Sequence, residues 1–302
     1  MHRHTKTNET MILKSIVSTL LSLLLAFPLF AKSDIVFPLK MNQGHFYFEA
    51  DVAKQKVEVM LESGIPALLI GQDFYQQHKS EINIPFQLSK SRIRLLNDLY
   101  DITLIGKGRI KIGEAIYEGQ IFIVEDYEGI ALPVQHLKHP DDHSQLISID
   151  LPQKRLTVKA WSKEAMSDGT RYRMKQDKNL GFPLLESTLR LSTAKGEATL
   201  KGNLIVDFGN PMLLFLNGEN SQLKKAVANG NIELKDARNK EGKVVAKGIY
   251  ATKIQLVGDE FDDVMIGVNP NPNNLKHLGY LGIKFFDRPV VFDFARMQMI
   301  IK

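Results

Sequence analysis

Apolar residues recur along much of the chain with the period of two expected of half-buried strands. Val57, Val59 and Leu61 alternate with Glu58 and Met60, Ile110 and Ile112 flank Lys111, and Ile121 and Ile123 repeat the spacing. Helical patterning is short and rare. Ser221, the stretch Gln222–Ala228 and then Gly230 read as cap, amphipathic turn and terminator, and Gln72–Lys79 reads as a smaller counterpart. Asn269–Asn274 (NPNPNN) has the composition of a loop. The pattern therefore predicts a mainly β chain.

One segment breaks this pattern. Ile16–Phe30 is a run of mostly apolar residues preceded by Lys14 and followed by Ala31. It is shorter than the roughly 20 residues that span a bilayer, and Pro28 lies near its end. Residues 1–31 are read as a signal peptide cleaved after Ala31, which places the mature chain in the periplasm or outside the cell with no stable membrane span.

The mature sequence repeats itself at an offset of 145 residues. Phe37, Pro38 and Leu39 match Phe182, Pro183 and Leu184. Glu62, Ser63, Gly64, Ile65 and Pro66 match Asp207, Phe208, Gly209, Asn210 and Pro211, and Leu68 and Leu69 match Leu213 and Leu214. Gly113 answers Gly258, and after a small drift Gly129–Pro133 (GIALP) answers Gly279–Gly282 (GYLG). Arg155–Val158 and Gln298–Ile301 close the two copies. The division that follows is a lobe at 32–160, a polar linker at 161–181 and a second lobe at 182–302.

Composition narrows the chemistry. The 302 residues contain no cysteine, which excludes disulfides, thiolate metal sites and a thiol nucleophile. The net charge of +5 is too mild and too dispersed for a nucleic-acid surface. What remains is oxygen and imidazole chemistry in a chain read as a monomer.

An acid at the end of an apolar strand, followed one residue later by glycine, suits a sharp turn that presents a carboxylate and lets another chain come close. Two such lobes packed about a pseudo-two-fold axis would bring Glu62 and Asp207 together. Carboxyls about 3 Å apart cannot both ionise, so they share a proton. The ionised member can then activate water while the protonated one donates to a carbonyl, without metal or cofactor, and such a site is expected to work best in acid.

These residues resemble the aspartic proteases of the pepsin and retropepsin type. The family's mark is Asp, Thr or Ser, Gly after an apolar strand, with a later apolar pair and Gly and a closing strand bearing Asp. Tyr280, Leu281 and Gly282, Phe285 and Phe286, and Val291, Phe292 and Asp293 are similar to the closing signature of bacterial retropepsin-like domains. The resemblance implies two pseudo-symmetric β-barrel lobes and a peptidase whose catalytic carboxyls are Asp207 and Glu62. Ser63, Gly64, Phe208 and Gly209 then form the active-site loops, and the partner is an extended polypeptide. The chain departs from the pattern with Glu62 in place of Asp, Phe208 in place of Thr or Ser, and Pro133 where the second copy has Gly282. These departures leave a second reading, a catalytically inactive fold kept as a peptide-binding or envelope module.

Other clusters read as structural. His136, His139 and His143 with Asp141 and Asp142 are assigned to a solvated loop and not to a metal, because Pro140 breaks any helix there. Asp150 and Asp293 are assigned to closing-strand turns. Asp207–Gly209 also spells the kinase metal motif, but no phosphate-binding loop accompanies it.

Overall fold

The computed structural model describes residues 33–95, 98–141, 145–238, 242, 244–269 and 276–302. The apolar run at 16–30 and most of the NPNPNN loop lie outside these residues, as do Asp142 and His143 of the histidine cluster.

In the first half, β1 (Ile35–Asn42), β2 (His45–Val52) and β3 (Gln55–Glu62) form an antiparallel meander. The chain continues through β4 (Leu68–Gly71), α1 (Gln72–His78), the hairpin of β5 (Phe86–Leu95) and β6 (Asp98–Ile112), and β7 (Ala115–Val124). It closes with β8 (Ile130–Pro133), β9 (Leu137–Lys138), β10 (Gln145–Asp150) and β11 (Arg155–Ala160). The second half begins with β12 (Thr170–Gln176), β13 (Pro183–Thr193), β14 (Gly196–Val206), β15 (Leu214–Asn217) and α2 (Ser221–Ala228). It continues with β16 (Lys235–Arg238), β17 (Val244–Leu256), β18 (Asp259–Asn269), β19 (Gly279–Leu281), β20 (Val290–Asp293) and β21 (Gln298–Ile301).

The same local construction carries each acid. β3 pairs in parallel with β8, placing Leu61 beside Leu132 and Glu62 beside Pro133. β14 pairs in parallel with β19, placing Val206 beside Leu281. The strand after each acid, β4 or β15, then pairs antiparallel with that same short strand and parallel with β7 or β18. Strands enclosed in this way have apolar neighbours on both faces, so Val59–Leu61 and Leu204–Val206 are buried runs and not alternating ones. Gly113 and Gly258 both fall in the turns of the hairpins β6–β7 and β17–β18.

The halves are joined by a six-stranded antiparallel sheet in the order β1, β11, β10, β20, β21, β12. Its centre is the pairing of β10 with β20, Ile147 opposite Phe292 and Ile149 opposite Val290. Residues 161–181, read as a polar linker, contribute β12 to this sheet. Its alternation is masked because Arg171, Arg173 and Lys175 occupy an exposed face.

Two further readings are corrected. β12 occupies the place that β1 has in the first half, since it pairs with β21 as β1 pairs with β11. The register therefore equates Phe37 with Tyr172, and the recurrence of Phe-Pro-Leu at 182–184 falls on a different strand. Helix α2 is capped by Asn220 and not by Ser221: Asn220 Oδ1 accepts from the backbone N–H groups of Gln222 and Leu223 at 3.0 and 3.1 Å.

Phe292 is fully buried at the junction of the halves and contacts the rings of Phe208 and Phe294. Phe292→Ala should lower the unfolding free energy by about 3–5 kcal/mol, read from denaturant unfolding. Leu88→Ala, at a side chain 91% exposed, should change it by less than about 0.5 kcal/mol.

Candidate active site

Glu62 is the last residue of β3 and Asp207 follows the last residue of β14. The structure brings the two carboxyls together in mutual hydrogen-bonding contact. Each glycine of one loop faces the acid of the other. A Cβ on Gly64 would lie 2.6 Å from Asp207 Cγ, and a Cβ on Gly209 would lie 2.2 Å from Glu62 Cδ. The greater intrusion at Gly209 follows from the extra methylene of Glu62, worth about 1.5 Å of reach. Only glycine leaves this space, which is why both loops carry one.

The backbone arranges donors around the pair. The N–H of Gly209 donates to Asp207 Oδ1 at 3.0 Å, and the N–H of Ser63 donates to Glu62 Oε2 at 3.3 Å. The Gly64 backbone also favours the charged form of both acids. Glu62 is buried, whereas Asp207 keeps partial exposure. Burial raises both pKa values. For Asp207 the surrounding donors oppose that rise and leave it at about 6. For Glu62 burial is reinforced by the neighbouring Asp207 charge, and its pKa stands well above the usual carboxyl range. The two acids therefore titrate as one pair that keeps a shared proton above the ordinary carboxyl range.

Ser63 is fully buried and spans the two halves. Its Oγ donates to the carbonyl of Val206 at 2.8 Å and accepts from the N–H of Phe208 at 3.0 Å. No reciprocal hydroxyl exists, because Phe208 stands at that position. Its ring turns into its own half and packs on Phe286 and Phe292, with centroids 4.9 and 5.7 Å away. The first loop is instead braced from within its own half by Gln135, whose amide donates to the carbonyls of Ser63 and Ile65 at 3.3 and 3.4 Å.

Sequence reasoning missed several neighbours. Gln135 follows Pro133 by two positions and has no distinguishing pattern. Tyr47, in β2, and Tyr127 both sense the Glu62 charge, and burial raises both phenols. Tyr280 is pushed up to about 12 by burial and by Asp207. Asn210 closes the second loop, donating to the carbonyl of Tyr280 at 3.4 Å and accepting from the N–H of Met212 at 3.1 Å. The acid, glycine, asparagine order of 207–210 was the one visible trace of that turn.

The remaining candidates stay outside the pair. Asp150 accepts from the N–H of Gln153, and Asp293 accepts from the N–H and guanidinium of Arg296 and from the Trp161 indole, as expected of turn acids. The histidine segment is less solvated than its composition suggests. His139 is buried and His136 packs edge-on against Tyr117. Among the described residues no three metal-ligating side chains converge.

Because both carboxyls bind their protons more tightly folded than unfolded, the stability they add is complete at low pH and is lost as pH rises through about 6 for Asp207 and higher for Glu62. His45 and His136 have lowered pKa values and so oppose this loss up to the ordinary imidazole value of about 6.5. Above that value the melting temperature should therefore fall with rising pH as Glu62 ionises. Glu62→Gln should flatten this slope and raise the melting temperature at the upper end. Circular dichroism melts give the answer, and an unchanged slope in the variant contradicts the coupling.

No sequence-family profile matches the chain, and no curated protein does. Among solved structures it is similar to the aspartic proteinase from Irpex lacteus, with TM-score 0.52, 11% identity, and 88% of this chain and 96% of that one covered. It is also similar to Basic 7S globulin from soybean, with TM-score 0.50, 10% identity, and coverage of 89% and 95%. The mainly β architecture, with its repeated acid-bearing construction, is that of the pepsin-like acid-protease fold.

Proposed function

We propose that the chain is an exported aspartic-type endopeptidase that hydrolyses an extended polypeptide in a cleft between its lobes, using Asp207 and Glu62 as an unequal pair. The observation that carries this reading is the reciprocal placement of each carboxyl against the other loop's glycine, which holds two acids in one proton-sharing unit. Asp207, ionised, removes a proton from a water whose oxygen attacks the peptide carbonyl carbon. Glu62 delivers its proton to the carbonyl oxygen, giving a gem-diol. Asp207 then protonates the amide nitrogen while Glu62 recovers a hydroxyl proton, and the C–N bond breaks.

The non-catalytic reading, a peptide-binding or envelope module, is favoured by one observation. With Phe208 in place of Thr or Ser, the hydroxyl bridge between the two loops comes from Ser63 alone. Under it, extended peptides bind without turnover.

Asp207→Asn should abolish cleavage of unfolded protein, and Glu62→Asp should leave it intact or raise it by restoring the family's side-chain length. The singly protonated pair begins near pH 6, so the acid limb of activity should lie near pH 6 and not in strong acid, with no loss to metal chelators. Absence of cleavage from about pH 3 to 9, in both the purified protein and Glu62→Asp, would establish the binding module instead.

The export reading assigns residues 1–31 to a signal removed after Ala31. Among the described residues no helix is long and apolar enough to cross a membrane. Mass spectrometry of the native protein should find an N-terminus near Lys32 in the periplasmic or medium fraction. Intact residues 1–31 in the membrane fraction would reverse the assignment.

A further inference from the structure

We infer that Gln135 is a positioning residue for the first acid loop, its side-chain amide standing in for a backbone donor that Pro133 cannot supply. This inference rests on the reading of Glu62 and Asp207 as the working pair. Glu62 lies beside Pro133 and Val206 beside Leu281, so Pro133 and Gly282 hold the same place next to the two acids. In the second half, the turn after β19 grips the acid loop through its backbone. The N–H of Gly282 donates to the carbonyl of Leu213 at 3.0 Å, and the N–H of Ile283 donates to the carbonyl of Asn210 at 2.9 Å. The approach is so close that a Cβ on Gly282 would lie 2.2 Å from the Met212 carbonyl oxygen and 2.5 Å from that of Asn210.

Pro133 alters this contact twice over. It has no N–H to donate, and its ring occupies volume that Gly282 leaves free. A first loop held as close as the second would meet that ring, so a donor on a longer arm is needed. Gln135 supplies it, since its Nε2 donates to the carbonyls of Ser63 and Ile65 at 3.3 and 3.4 Å. Ile65 is the residue that matches Asn210 in the repeat, so the same carbonyl is held in both halves, by a side chain in one and by the backbone in the other. The amide keeps this orientation although its Oε1 is buried without a hydrogen-bond partner among the described residues, because a flip would set that oxygen against both carbonyls. The exit of the loop is fixed from the same side. The N–H of Leu68 donates to the Tyr117 hydroxyl at 3.0 Å, and His136, next to Gln135, packs on that ring. Ser63 then carries the restraint across the junction through its bonds to Val206 and Phe208.

The test follows amide hydrogen exchange by NMR in the purified full chain, which needs no substrate. Gln135→Met removes the amide at similar length. It should accelerate exchange at residues 63–67 by at least about tenfold while leaving the amides of Ile249 and Ala251, in the far strand β17, unchanged. On an unfolded-protein substrate it should lower kcat by roughly tenfold or more with KM within about twofold. Pro133→Gly restores both the N–H and the space, so in that background Gln135→Met should change exchange and kcat by less than about twofold. If Gln135→Met alone fails to fold, folding of the double variant supports the replacement of one donor by the other, and failure of both overturns it. Parent-like exchange in Gln135→Met, or an equal effect of that substitution in both backgrounds, overturns the positioning role whatever the activity. A parent protein without turnover overturns the peptidase reading instead, and the exchange result alone then decides whether Gln135 replaces the missing donor.

Discussion

Two carboxyls share a space too small and too dry for two negative charges, and much of the surrounding structure answers that constraint. Burial and mutual repulsion favour one proton between them. The backbone supplies a donor to each member, the Gly209 N–H to Asp207 and the Ser63 N–H to Glu62. The glycines opposite each acid are required by the same crowding, because a methyl at either position would displace the partner's carboxyl. The six-stranded sheet between the halves then acts as the frame, with β10 and β20 fixing the distance at which the loops meet.

The two halves differ in their bonding at this meeting point. On the second side Phe208 is buried in an aromatic cluster with Phe286 and Phe292, which contributes packing energy to its own half. The first side kept Ser63 and carries a longer acid. The longer acid and the glycine opposite it are complementary, since Glu62 fills the volume that Gly209 leaves open. The junction is thus asymmetric in its bonding although the strands that carry it are built alike.

Strand periodicity and the duplication were legible along the chain because both are one-dimensional. Alternation reports which face of a strand is wet, and a repeated acid, Gly and Pro at constant spacing reports a repeated turn. From these the mainly β class, the equivalence of Glu62 with Asp207 and the glycine-bearing loops followed directly. Local likeness also misled: Phe-Pro-Leu recurs at the same offset but falls on strands with different partners, and the charged face of β12 read as a linker.

Tertiary structure alone decided what depends on residues far apart in sequence becoming neighbours. Which acid retains the proton depends on burial and on donors that the fold delivers, so Glu62 and Asp207 look alike as letters and differ as chemistry. That Phe208 turns inward and that Gln135 braces Ser63 and Ile65 have no local signature. Each is set by the packing of segments that pattern and spacing cannot place against one another, because desolvation and hydrogen-bond geometry exist only once the two halves have met.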